Sequence, residues 1–124
     1  MDYENKAFTQ PYQRLDAFEI ACQARKVGLA FTQSLPRGFG GEAQQINRAS
    51  ASVVRNLCEG AGRWRPAEKI LKFEIASGEV SEAVGAVQSL TDCGLGDVAL
   101  AVEFETLQGR VGAMLTGLIK RQRR

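Results

Sequence analysis

The chain contains no histidine. That absence excludes Ser-His-Asp and Cys-His nucleophile systems, His-ligated metals and an imidazole general base. Cysteine is scarce: Cys22, Cys58 and Cys93 make an odd count with no Cys-x-x-Cys spacing. An oxidised framework is therefore not expected, and a reduced, cytoplasmic setting fits better. No apolar run approaches the ~20 residues of a membrane span. The polar residues Asp2, Glu4 and Asn5 are unlike the start of a signal peptide. Gly38-Phe39-Gly40-Gly41 lacks the lysine and spacing of a phosphate loop. No cofactor and no metal are expected, and the chain reads as non-enzymatic.

What is present describes one globular domain. The 124 residues are 44% hydrophobic and 24% charged, too apolar for a disordered chain and long enough for a single core. The net charge of +2 is mild, but it is unevenly spread. Residues 1–65 carry +3, residues 66–109 carry −6 and residues 110–124 carry +5.

Helical periodicity organises the chain. Residues 1–11 show no clear period and read as an arm ahead of a helical domain over 12–124. The first helix is expected over 12–35, with a stripe of Leu15, Phe18, Cys22 and Leu29 widened by Ile20, Val27 and Phe31. It should stop at Ser34-Leu35-Pro36, because a residue before proline avoids the α region. The second helix is expected over 42–59, its apolar face formed by Ile46, Ala49, Val53 and Leu57. Gly60 and Gly62 would end it by taking positive φ. The third, over 66–90, starts at Pro66 and repeats Phe73, Ala76, Val80, Ala83, Val87 and Leu90 in unbroken steps of three and four. The fourth, over 97–121, carries Leu100, Phe104, Leu107, Val111, Met114 and Leu118, with Asp97 as N-cap. Nothing alternates like a strand. The expected fold is all-α: an antiparallel up-down-up-down four-helix bundle.

Glycine inside these helices costs about 1 kcal/mol each relative to alanine. Gly28, Gly78, Gly85, Gly109, Gly112 and Gly117 fall there. Close approach of a neighbouring helix or subunit would offset the cost, above all at Gly78 and Gly85.

The second helix also carries a polar ladder. Arg48, Ser52, Asn56 and Glu59 lie within roughly 80° of one another on a helical wheel, beside the apolar stripe. One reading is a structural network between helices or subunits, with Asn56 bonding backbone and Glu59 pairing with Arg48, Arg55 or Arg63. The alternative is a small-ligand or catalytic site in which Glu59 acts as acid or base beside Arg48 and Asn56. Cys58 reads as a small core residue. Two basic segments are candidate nucleic-acid contacts: Arg63-Trp64-Arg65, and the tail of Lys120, Arg121, Arg123 and Arg124. For Trp64 the simpler reading is an anchor that fixes its loop to the helices.

The second helix resembles a known family signature. Gln45-Ile46-x-Arg48-Ala49, Ser52, and Asn56-x-x-Glu59-Gly60-x-Gly62-Arg63 resemble the four-helix bundle proteins found in 23S rRNA intervening sequences. Leu15 and Phe18, Leu35-Pro36, Glu68, and Ile75-Ala76-x-Gly78-x-x-x-Glu82 match on either side, so the resemblance spans Leu15 to Leu90. Val54 stands where the family often has proline, Lys69 and Lys72 where it has aromatics, and Glu79 where it has serine. The resemblance implies a small cytoplasmic all-α protein without established enzymatic activity, forming a homo-oligomeric ring with five subunits as the expected count. More distantly, the chain is similar to accessory proteins of diversity-generating retroelements. Those are strongly basic and bind nucleic acid and a reverse transcriptase, a nucleic-acid enzyme. The expected partners are thus further copies of the chain, then RNA, DNA or such an enzyme, and no membrane. The charge split agrees with a ring: a basic surface on one copy can meet the acidic third and fourth helices of the next.

Overall fold

The computed structural model describes residues 10–123. Most of the expected arm, residues 1–9, and Arg124 lie outside the described residues. Pro11 does not belong to an irregular arm: it opens a 3₁₀ turn, Pro11–Arg14, closed by the Gln10 backbone N–H donating to Gln13 Oε1 at 2.6 Å. Four helices follow: α1 (Asp16–Gln33), α2 (Gly40–Gly62), α3 (Pro66–Asp92) and α4 (Val98–Gln122). Among the described residues there is no strand.

The helix ends follow local chemistry. α1 stops before Leu35-Pro36, where the Ser34 backbone N–H and Oγ both donate to the Phe31 carbonyl. α3 starts with Pro66 in its first turn. It ends in a Schellman arrangement at Gly94 (φ 79°), with the Gly94 N–H bonding Thr91 O and the Leu95 N–H bonding Leu90 O. Asp97 caps α4 by accepting from the Leu100 N–H at 3.1 Å.

α2 differs from expectation at both ends. It begins at Gly40 and runs three residues beyond Glu59. Gly60 and Gly62 do not take positive φ; the positive-φ glycines are Gly38, Gly94 and Gly96. Gly60 is helical, and it is glycine because Phe73 lies across it: a Cβ there would sit 2.6 Å from the Phe73 ring. The Lys69 ammonium then serves the carbonyls that the helix end leaves over, donating to Ala61 O at 2.9 Å and Gly60 O at 3.3 Å.

The core has two parts. One cluster joins Ala17 and Ala21 of α1, Val53 and Leu57 of α2, Phe73, Ala76 and Val80 of α3, and Val111, Leu115 and Leu118 of α4. The other joins Phe31 of α1, Ile46 and Ala49 of α2, Ala83, Val87 and Leu90 of α3, and Ala101 and Phe104 of α4. The expected inner faces of α2 and α3 are buried at every position. α1 is different. Of its expected stripe only Phe31 is buried; the inner face is Ala17, Ala21, Ala24, Gly28 and Phe31. Small residues let α1 approach closely, and Phe18 packs outside against Tyr12, ring centroids 4.6 Å apart. In α4, Leu100, Leu107 and Met114 are half-buried, while Ala101, Gln108 and Leu115 are buried.

Gln108 is fully buried at the level where the two clusters meet, flanked along α4 by Phe104 and Val111. Neither its carboxamide nor the buried Ser50 hydroxyl has a hydrogen-bond partner among the described residues. The core thus has a polar waist.

At Gly78 and Gly85 no neighbouring helix of the same chain approaches within 4 Å of a Cβ placed there, which leaves only the subunit half of the expectation open. Among the helical glycines, close approach inside the chain occurs at Gly28, under Phe104, and at Gly60.

Candidate functional site

The α2 ladder divides into three separate arrangements. Arg48 Nη2 donates to Glu82 Oε2 of α3 at 2.8 Å, with Glu79 at 3.7 Å. Asn56 is buried, and its Nδ2 donates to the Ser52 carbonyl at 2.9 Å and the Ser52 hydroxyl at 3.0 Å. Glu59 pairs with Lys72 of α3 at 3.0 Å, not with Arg48, Arg55 or Arg63. The Lys72 hydrogen bond and charge hold the Glu59 carboxyl below its ordinary range against the opposing effect of burial, and Arg63 and Arg55 add smaller lowering effects. That is the wrong direction for a general acid or base near neutrality. The proximity of Lys72 to Glu59 depends on the α2–α3 register, which the periodicity of neither helix contains.

The remaining motif residues have distinct placements. Gly60 is buried under Phe73, whereas Gly62 and Gly78 are exposed. Glu82 is anchored by Arg48. Cys58 is half-buried, not a core residue; burial pushes its thiol up, with the nearby Cys22 and Glu59 adding to the effect.

The two basic segments come to one end of the molecule. Arg63-Trp64-Arg65 joins α2 to α3, just beyond the cluster that contains Leu57 and Phe73. The last turn of α4 leaves the same cluster after Leu118. The chain start connects them. Gln10 and Pro11 border a hollow of about 550 Å³ with Arg63, Trp64 and Lys69. Arg14 borders a second hollow, about 320 Å³, with Arg121. Lys120, Arg121 and Arg123 are exposed, and Arg123 reaches Glu74 of α3 at 3.2 Å. The half of the molecule with this end, residues 10–24, 52–81 and 110–123, holds ten basic and six acidic side chains; the rest of the described chain holds four and six.

Trp64 does not anchor its loop. It is 93% exposed. Arg65 is also exposed and lies 3.8 Å from Glu68, a surface pair of little energetic weight.

Residues 13–117 match the family described as 23S rRNA-intervening sequence protein. The chain belongs to that family. Comparison with curated proteins gives no match. The family match takes in the α2 ladder, its α3 partners and Trp64, and it ends before the basic tail of α4. Among the described residues, no helix is long and apolar enough to cross a membrane. Among the described residues, no three acidic or cysteine side chains gather where they could hold a metal.

Proposed function

We propose that this protein is a non-enzymatic, homo-oligomeric scaffold. In this reading each copy is an antiparallel up-down-up-down bundle, five copies close into a ring, and the basic end meets nucleic acid or a nucleic-acid enzyme. The observation that carries the assembly is the outer face of α3. Leu71 and Ile75 are 55% and 40% exposed one turn apart. Gly78, Glu82 and Gly85 continue the same stripe within about 80° on the wheel, opposite the buried seam. A helix that exposes two large apolar side chains opposite its buried seam is suited to a second neighbour there, and its own chain covers the seam. The bare glycines would let a second helix approach closely.

Alternation of the two core clusters between helix starts and helix ends supports the up-down course. Free thiols at Cys22, Cys58 and Cys93 support a cytoplasmic setting. The family resemblance supplies the count of five. A catalytic site on Glu59, Arg48 and Asn56 gains little support from a ladder whose members have separate partners.

Light scattering after size exclusion tests the assembly. The expected mass is about five times the 13.5 kDa of the chain. Ile75→Glu should reduce it to that of a monomer while retaining helical content. A monomeric native chain at micromolar concentration and low salt would overturn the scaffold reading.

A further inference from the structure

We propose that Trp64 is a stacking platform for an unpaired base of single-stranded nucleic acid, with Arg63 holding an adjacent phosphate. This deepens the nucleic-acid part of the function proposed above and does not depend on the ring.

The argument starts from exposure. An indole is the largest apolar side chain, and a tryptophan in a small domain is ordinarily well covered. Trp64 is held almost wholly in water at the turn between two ordered helices. The residues on either side are extended, Arg63 at φ −78°, ψ 154° and Arg65 at φ −88°, ψ 135°. The short connection and the helix ends on both sides fix the backbone position from which the indole projects.

Its surroundings select the partner. Arg63 and Lys69 border the same hollow as Trp64, and none of its described lining residues is acidic. Lys69 gives two of its three donors to the α2 carbonyls and keeps its charge. A flat π face beside two cations matches an unstacked base and its phosphate. Bases in a duplex have their faces covered, so a single strand is the better fit. Arg121 and Arg123, at the same end, can continue the phosphate path.

The chain has one tryptophan, so its fluorescence reports this site directly. The full chain is titrated at low salt with an oligo-dT of about twenty nucleotides, longer than a single-module site. A duplex of equal length provides the comparison. The expected result is quenching by the single strand and little by the duplex. Trp64→Ala should weaken single-strand binding about tenfold and Trp64→Phe less. Arg63→Gln should lower the salt slope by about one phosphate. Unchanged helical content and mass in Trp64→Ala would confirm that the variant is folded.

Three results would overturn the proposal, each with a different meaning. Salt-sensitive binding without quenching leaves a nucleic-acid face but removes the stacking role. Absence of binding at low salt removes both. A blue-shifted emission that appears with rising protein concentration alone places Trp64 under a second copy, removing the stacking role and leaving the scaffold intact.

Discussion

The two ends of this molecule are finished in different ways. At the end away from Trp64, the loops themselves close the core. Phe31 and Phe104 are fully buried there, Gly96 (φ 81°) lies against the Phe31 ring, and the Asp97 N–H donates to Ser34 Oγ at 2.9 Å across the connection. At the basic end a single side chain, Lys69, completes α2, and the intervening turn projects its tryptophan outward. One end is closed by backbone geometry and aromatic packing. The other leaves Trp64 exposed among basic side chains, and its substitutions should be correspondingly cheap.

Gly96→Ala should break the closed end most severely. The positive φ alone disfavours alanine by about 1–2 kcal/mol, and the new methyl would meet Phe31 at 2.6 Å. A loss of about 3 kcal/mol in urea unfolding is expected. Gly94→Ala has the same backbone requirement but open space, so it should lose only the first part. Equal losses would show that the Phe31 ring yields readily and that the closure is softer than its geometry implies.

Gln108→Leu addresses the boundary between the two ends. It replaces an unpartnered buried carboxamide with an apolar group of similar size, so stability should rise by about 1–2 kcal/mol. A fall would show that the waist is paired in solution and contributes to the fold.

The smallest effect belongs to the Glu59–Lys72 pair at the basic end. A carboxyl whose pKa is lowered on folding stabilises above its unfolded pKa, and that contribution disappears as pH falls through the folded value. Both groups are partly exposed, so the shift in melting temperature should be slight. Glu59→Gln should flatten whatever slope appears across about pH 3–5. An unchanged slope would assign it to other carboxylates.

How far these features can be read in advance depends on the residue. The α3 seam from Phe73 to Leu90 was legible because Phe73, Val80, Val87 and Leu90 keep an unbroken step of three and four with the alanines between them. The α1 inner face was not, because alanine and glycine carry little hydrophobic signal while Phe18 and Leu29 attract attention from outside the core. Gly60 was misread because a glycine that stops a helix and a glycine beneath an aromatic look alike until Phe73 is placed. The candidate site was legible as two basic segments. Their meeting at one end needed the helix packing, and the exposure of Trp64 needed the turn.

The Lys69 cap has an electrostatic consequence for that turn. The last carbonyls of α2 would otherwise give the hollow the equivalent of about half a negative charge. Lys69 places a full positive charge on them. Because α3 begins immediately afterwards, the turn also stands near the positive pole of its dipole. A helix terminus that would repel an anion is converted into part of a cationic rim, and replacing Lys69 with a neutral residue would weaken the positive field there as well as uncap the helix.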